Sequence, residues 1–471
     1  MNIYHYLISP RLAYNLALFR IVFGLIMVTD MIHWLTSQLI YAEFIYPKFF
    51  FSYIDLIKPL PTPLMTMVFY LLLISAIGIG LGLFYRFFAI IFFILITYVF
   101  LIDKTLYLNH MYLICLISGL LCLTPTNRIW SLDTYFFGNN KNNLVPNWTV
   151  LIFKFQIFIV YFFGALAKIN YDWLNGHPLK EWIENFIDLG HYQYLLYTPY
   201  SIAFLAYGGI FVDLLTPILL CFKQTFIYGA IIALTFHFCN AHMFNIGVFP
   251  YLMSGTLVLF IDPSIIEQLI NKITKLSKRI IPNGINLNQD TDLANSNPKQ
   301  SHPNSLLASS KPEKSFYSSK ILIALMAIYV LLQLLLPIRR FFYLGNTSWS
   351  EYGHRYSWSM MLRQKYGKFT MWAINPSSSL KQTVNIYKYL TVRQATKMMT
   401  QPDLIIQFAK YYANLVKEQT GIKPIIKIEA KVSLNGRPYQ DLIDSNVDLT
   451  TQPDSLFPVP WILPLKEESL H

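Results

Sequence analysis

Lys168 closes the segment Tyr161-Phe-Phe-Gly-Ala-Leu-Ala-Lys168-Ile-Asn-Tyr-Asp-Trp173, at the end of an apolar run that begins near Asn147. Roughly 20 apolar residues cross a bilayer core, so this cation falls near the far membrane surface. It either snorkels to water or is held partly desolvated for chemistry. Burial disfavours an ammonium, so a desolvated lysine can accept a proton. At an apolar–polar boundary such a base can deprotonate a membrane-dissolved acid such as a hydroquinone. His110 and Asn240, each at the end of another apolar run, can donate hydrogen bonds to the resulting oxyanion.

The elements that must position these groups are membrane helices. The chain has 471 residues, 54% hydrophobic and only 13% charged, against roughly 25% charged in soluble domains. The fold class is therefore a mainly α polytopic membrane protein. Apolar runs near Ala13–Trp34, Leu64–Phe84, Phe87–Ile102, Met111–Leu123, Asn147–Ala167, Ser201–Phe222, Phe226–Phe238, Ile246–Ile261 and Ile321–Leu336 suggest about nine spans. Aromatic residues make up 16% of the chain, enough for interfacial belts and a pocket for a flat apolar ligand. A net charge of +12 reads as contact with anionic lipid, not with nucleic acid. Cys115, Cys122, Cys221 and Cys239 lie in apolar segments and read as small buried hydrophobes. No cleavable signal is evident, and the first run reads as a retained span.

The sequence divides into a transmembrane bundle (1–262), a basic linker (263–320), a last transmembrane helix (321–338) and a β-rich extramembrane domain (339–471). Lys272, Lys275, Lys278, Arg279, Lys299, Lys311, Lys314 and Lys320 place the linker in the cytoplasm. Its first part, Ser264–Ile281, has the spacing of a helix lying along the membrane surface, and Asn283–Ser310 reads as disordered. Parity then puts the C-terminal domain outside. There, Thr370–Ile374 and Pro424–Val432 alternate like strands, Asn435-Gly436 reads as a turn, Gln440–Leu449 alternates again, and Gln401–Glu418 is helical in spacing.

This topology gathers Asp103, Lys104, Asn109, His110, Lys168, Asn170, Asp172, His237, Asn240, His242, Arg339 and Arg340 on one membrane face. Scattered interfacial anchors are the alternative reading. No metal site is evident: His237 and His242 are five residues apart, which turns them to different sides of an ideal helix. There is no phosphate loop, nucleophile elbow or dinucleotide fingerprint.

These segments resemble the vitamin K-dependent gamma-glutamyl carboxylase family and its bacterial homologues, which are built on the horizontally transferred transmembrane domain. The motifs are Phe19-Arg20-x-x-Phe23-Gly24-x-x-Met27-x-x-Asp30, Gly82-Leu-Phe-Tyr-Arg86, Asp103-Lys-Thr with Asn109-His110-x-Tyr112, Lys168 through Gly176, Phe236-His237-x-x-Asn240, Tyr356-Ser-Trp358-x-Met360-Met361 and Ser433-Leu-Asn435. Each is weak alone, but together they run in order along nearly the whole chain.

The resemblance implies that reduced vitamin K or menaquinol is deprotonated, takes up O2 and becomes an epoxide. The strongly basic oxygenated species then removes a γ-proton from a protein glutamate, and CO2 adds to the carbanion. By the same resemblance Lys168 is the base and His110 stabilises a charged intermediate. Asn109, His237 and Asn240 line the quinone or oxyanion pocket, and Tyr356, Trp358 and Met360 bind glutamate. No metal is implied. The partners are a glutamate-bearing protein or peptide and membrane lipid. Gly353-His354 departs from the animal enzymes ahead of Arg355, and the shorter C-terminal part looks like the bacterial branch. That favours a bacterial inner membrane with a periplasmic C-terminal domain. A lipid-binding, transport or scaffold protein on the same fold, or a quinol epoxidase without carboxylation, is the alternative.

Overall fold

A computed structural model describes residues 2–138, 143–185, 196–244, 246–280, 317, 319–455 and 457–466. All nine apolar runs are helical: α1 (Tyr14–Thr36), α2 (Thr62–Leu81), α3 (Tyr85–Ile102), α4 (Asn109–Leu123), α5 (Trp148–Lys168), α6 (Pro199–Cys221), α7 (Phe226–Met243), α8 (Phe249–Thr256, extended by a 3-10 turn Leu257–Phe260) and, after α9 (Pro263–Ile280), α10 (Lys320–Ile338). Among the described residues seven are long and apolar enough to cross a membrane, or eight if the bent pair of α8 and α9 counts as one span. The protein is therefore a multi-pass membrane protein, with seven or eight helices of spanning length against the expected nine or so.

The two exceptions have physical causes. At 15 residues, α4 reaches only about 22 Å. α8 and its 3-10 turn meet α9 at 89°. The break falls where Pro263 withholds an N–H and Asp262 accepts from the Ser264 amide and hydroxyl (2.9 and 2.7 Å). The bend swings α9 off the axis of α8, as a surface-lying helix requires. Asn283–Ser310 lies outside the described residues.

Within the bundle α1 packs on α2, α2 on α3 and α3 on α4, while α6 packs on both α5 and α7. A Cβ added at Gly24 would stand 2.5 Å from the Gly80 Cα, so α1 and α2 touch backbone to backbone. Arg20 is fully buried beside this crossing. It donates to the carbonyls of Ile79, Gly80, Thr126 and Trp130 at 2.5–3.2 Å. Carbonyl partners are what make a buried guanidinium tolerable within a membrane span. The short antiparallel strands β1 (Pro10–Leu12) and β2 (Leu144–Pro146) tie the start of the chain to the foot of α5. All four cysteines are unpaired; Cys115 is buried, but Cys221 and Cys239 are exposed on the helix surface, which corrects the reading of all four as buried.

The C-terminal domain is a sheet covered by helices, not strands alone. Its strands β3 (Lys365–Ile374), β4 (Lys381–Thr383), β5 (Ile425–Leu434) and β6 (Gln440–Asp441) lie antiparallel in the order β4-β3-β5-β6. Alternate residues of β5 (Ile426, Ile428, Ala430, Val432) are buried against Leu404, Ile405 and Phe408 of α12 (Pro402–Thr420), which follows α11 (Val392–Met398). Asn435 and Gly436 form the expected turn, both at positive φ (53° and 80°). The alternating stretch Gln440–Leu449 yields only a two-residue strand. Asp444 and Asp448 instead accept from the Asn446 and Thr450 amides (2.9 and 3.0 Å), local turns that compete with a ladder.

Polar contacts seat this domain on one end of the bundle. Asp103 accepts from the Thr105 amide and the Gln394 side chain (both 2.8 Å), and Lys104 donates to Gln407 (3.2 Å). Arg437 grips Asp172 with two nitrogens (2.5 and 2.8 Å), and Asn435 donates to the same carboxylate (2.7 Å). Asp103, Lys104 and Asp172 are thus joints between the domains.

Candidate active site

Lys168 is the last residue of α5. The chain then turns sharply: the Asn170 side-chain oxygen accepts from the Trp173 amide (3.1 Å) and starts a short helical turn, Tyr171–Leu174. That turn folds Trp173 back until its ring centroid lies 5.4 Å from Lys168 Nζ. The indole N–H donates to the Ala206 carbonyl of α6 (2.8 Å), fixing the ring.

The lysine does not snorkel. Its ammonium forms a hydrogen-bonded ion pair with Asp213 of α6, and the two side chains are only 7% and 3% exposed. Gly164, one turn below Lys168 on α5, leaves room: a Cβ there would stand 3.3 Å from the Asp213 carboxylate. Asp213 escapes a sequence reading because it sits inside the run Ser201–Phe222. A lone acid within such a run is itself the signal.

Tyr161 precedes Lys168 by two helical turns and shares its face of α5. Its hydroxyl is 2.7 Å from His237 Nε2 on α7. His237 is buried, and its Nδ1 has no partner among the described residues. Asn240 lies three residues further on the same side of α7. His110 stands at the start of α4, and the Phe249 ring bridges it to His237 with centroid distances of 6.3 and 6.1 Å. Asn109 accepts from the Tyr107 hydroxyl (3.1 Å) and donates to the Ser359 carbonyl (3.2 Å), next to Met360.

Lys168, His110, Asn109, His237, Asn240 and Met360 all line one cavity of about 540 Å³, together with Asp213, Asp30 and His33. Its other walls include Trp34, Phe44, Phe100, Trp173, Trp182, Phe236 and Phe249. The arrangement is an apolar, ring-lined slot with a buried ion pair and several imidazole and amide groups in its wall.

Tyr356 and Trp358 do not line it. Tyr356 packs on Tyr112 and Tyr107 (centroids 5.0 and 5.5 Å), and its amide donates to the Tyr107 hydroxyl (2.7 Å). Trp358 is fully buried beside Tyr112 (5.1 Å), and its indole N–H has no partner among the described residues. Glu351, Tyr356, Trp358 and Met361 all have positive φ (68°, 64°, 55° and 53°). Side-chain-bearing residues avoid that region, and such strain gathers at functional sites.

A dense ionic cluster holds this wound segment. Arg355 binds Asp403 (2.6 Å) and Gln401 (2.8 Å), while Glu351 takes Arg363 (2.6 Å) and Lys365 (2.7 Å). Arg363 also contacts the His354 ring. Burial, and then the cations Arg363, Arg340, Lys365 and Arg355, hold His354 well below the usual histidine range. Burial likewise pushes Lys365 down to about 8, against the pull of Glu351. Among the other polar residues of this face, Asn170 caps the turn after α5, and Arg339 and Arg340 donate to the Arg355 carbonyl and the Ser359 hydroxyl. His242 is exposed, with Nδ1 2.9 Å from the Phe238 carbonyl.

Comparison with known proteins gives a consistent assignment. Residues 9–264 match the HTTM domain family, and residues 318–468 match the lumenal domain of vitamin K-dependent gamma-carboxylase. No solved structure matches the chain. With the transmembrane match covering more than half of its length and the lumenal match most of the remainder, the chain belongs to the vitamin K-dependent gamma-glutamyl carboxylase family.

Proposed function

We propose that the protein couples oxidation of a reduced naphthoquinone, vitamin K or menaquinol, by O2 to carboxylation of protein glutamate by CO2. The observation that supports this most is the shared cavity, where the Lys168–Asp213 pair, His110, His237 and Asn240 stand among aromatic rings. A flat apolar ring carrying ionisable hydroxyls needs such a slot, with a proton acceptor in its wall. When bound, the reduced quinone supplies, through its oxidation by O2, the driving force for removing a γ-proton from glutamate.

The chain's own residues take the remaining tasks. Lys168 and Asp213 accept a proton as a unit. Ammonium with carboxylate, or amine with carboxylic acid, becomes ammonium with carboxylic acid, so the pair gains one positive charge beside a newly formed oxyanion. His110 and Asn240 donate hydrogen bonds to that anion. Tyr161 fixes the His237 ring through Nε2 and leaves Nδ1 for a ligand. Trp173 and the other rings exclude water, which strengthens each of these interactions. Tyr356, Trp358 and Met360 take the role of the glutamate-binding segment, and of the three Met360 lines the cavity. CO2 adds to the deprotonated γ-carbon, forming a new carbon–carbon bond and leaving a second carboxylate on that carbon. The basic segment 263–320 supports a cytoplasmic linker with the C-terminal domain on the opposite side, which in a bacterial inner membrane is the periplasm.

One observation favours a second reading, quinol epoxidation without carboxylation: Tyr356 and Trp358 are closed into a ring cluster away from the cavity. A single assay separates the two. Purified protein receives reduced vitamin K, O2, labelled CO2 and a glutamate peptide, and both epoxide and peptide label are measured. The proposal expects both, and loss of both in Lys168→Ala protein that is still folded at the assay temperature. Epoxide without label selects the second reading. Neither product selects a non-catalytic membrane module, and full activity in Lys168→Ala removes the lysine from its role.

A further inference from the structure

A second cavity, of about 420 Å³, lies at the end of the bundle opposite the C-terminal domain. It is bounded by the β1 segment, the foot of α5, the end of α6, the start of α7 and the Phe260–Ile265 corner. Three cations and one acid line it: Arg11, Lys154, Lys223 and Asp262. Lys223 pairs with Asp262 at 2.8 Å, and Ser264 donates to the same carboxylate. The acid is therefore hydrogen-bonded elsewhere, and three cations against one carboxylate leave an excess of two positive charges.

Neither is a casual surface cation. Lys154 lies six residues into α5, about 9 Å along its axis, where a charge is costly. Among the described residues it has no hydrogen bond or ion pair; its ammonium rests 5.0 Å from the Phe260 ring centroid. Arg11 donates to Asn147 (3.2 Å), but its Nε is buried without a partner among the described residues. The walls are held in place as well. The Asn15 amide donates to the carbonyls of Val258, Leu259 and Ile261 (2.6–3.3 Å), which fixes the corner carrying Phe260 and Asp262. The remaining lining mixes apolar side chains, among them Leu220, Phe226 and Ile265, with the polar Tyr6, Ser9 and Asn147.

We propose that this cavity binds the phosphate of an anionic glycerophospholipid from the leaflet opposite the C-terminal domain. Arg11 and Lys154 take the phosphate oxygens, and the apolar wall takes the start of the acyl chains. Two cations without a carboxylate partner of their own, one at the foot of the bundle and one inside α5, call for an anion, and the apolar residues beside them suit one that carries hydrocarbon. Basic pockets between membrane helices recognise lipid headgroups in this way. The site uses none of the residues of the first cavity.

The test uses full-length protein in phosphatidylcholine nanodiscs. Its unfolding midpoint is followed as phosphatidylglycerol replaces phosphatidylcholine, and separately as sn-glycerol 3-phosphate is added. Wild type is expected to be stabilised by phosphatidylglycerol alone. Arg11→Gln with Lys154→Met is expected to respond about thirty-fold more weakly in lipid concentration, from two basic side chains lost. If that variant does not fold, Lys154→Arg and Lys154→Gln carry the same test, with the response kept in the first and weakened in the second. Equal stabilisation by both lipids, an unchanged response in the variants, or equal protection by glycerol phosphate would each overturn the proposal.

Discussion

Replacing Asp213 by Asn asks whether Lys168 works alone or as half of a pair. The two side chains are 7% and 3% exposed, so solvent screens them little. At hydrogen-bonding range, roughly 3 Å, and an effective dielectric near 20, their attraction is on the order of 5 kcal/mol. Removing one partner strands the other in the bundle and typically costs about 3–5 kcal/mol. Asp213→Asn is therefore expected to lower stability by that amount, and Lys168→Met similarly. The double variant Lys168→Met/Asp213→Leu strands no charge and is expected to recover most of the loss.

Activity should be non-additive too. Loss of a proton acceptor costs about 10²–10⁴-fold, and residues acting as one unit share a single loss. Each single variant and the double are thus expected to lose epoxide formation to the same extent. The assays are denaturant unfolding in detergent and epoxide detection, on all four proteins. Wild-type activity in Asp213→Asn, or losses that multiply in the double variant, would refute the reasoning.

Three further outcomes follow from the geometry. His354 stays neutral in the folded domain while the unfolded chain takes up a proton below about pH 6.5. Stability present above that pH should therefore fall below it by about 1.4 kcal/mol per pH unit, and His354→Gln should flatten the pH 5–6.5 stretch of the unfolding curve. Arg437→Met leaves Asp172 buried and half-partnered, so limited proteolysis should release the C-terminal domain faster, and adding Asp172→Leu should slow that release again. Gly24→Ala puts a Cβ 2.5 Å from the Gly80 Cα and should lower the melting temperature by several degrees, while Gly208→Ala, with nothing within 4 Å, should leave it unchanged.

The sequence was most readable where chemistry coincides with the end of an apolar run. Lys168, His110, His237 and Asn240 each sit at such an end, and folding brings them to one cavity. Asp213 is hidden when a run is scanned for length alone, and shows only when the run is searched for the one acid that interrupts it. Tyr356 and Trp358 carry a motif, yet the turns that wind their segment come from positive φ at side-chain-bearing residues, which no pattern of hydrophobicity announces. Periodicity also could not show that Phe249–Phe260 stops at Asp262-Pro263 and turns by 89°. In the C-terminal domain, β3 and β5 were legible from alternation. Gln440–Leu449 alternates equally well, but its aspartates spend their oxygens on local turns.

Asp172 and Trp173 are consecutive, yet they face different parts of the molecule. One is clasped by Arg437 of the C-terminal domain, and the other lies against the Lys168 ammonium. This single peptide step makes the two halves poor modules. A chimera that takes its C-terminal domain from a relative must import the residue that meets Asp172 along with the turn at Asn435-Gly436. An insertion between Lys168 and Asp172 would fall in the sharp turn at Ile169-Asn170 and would displace the clasp relative to the ammonium. Inheritance of the halves is thus coupled through two neighbouring side chains, and recombination points for engineering belong elsewhere in the chain.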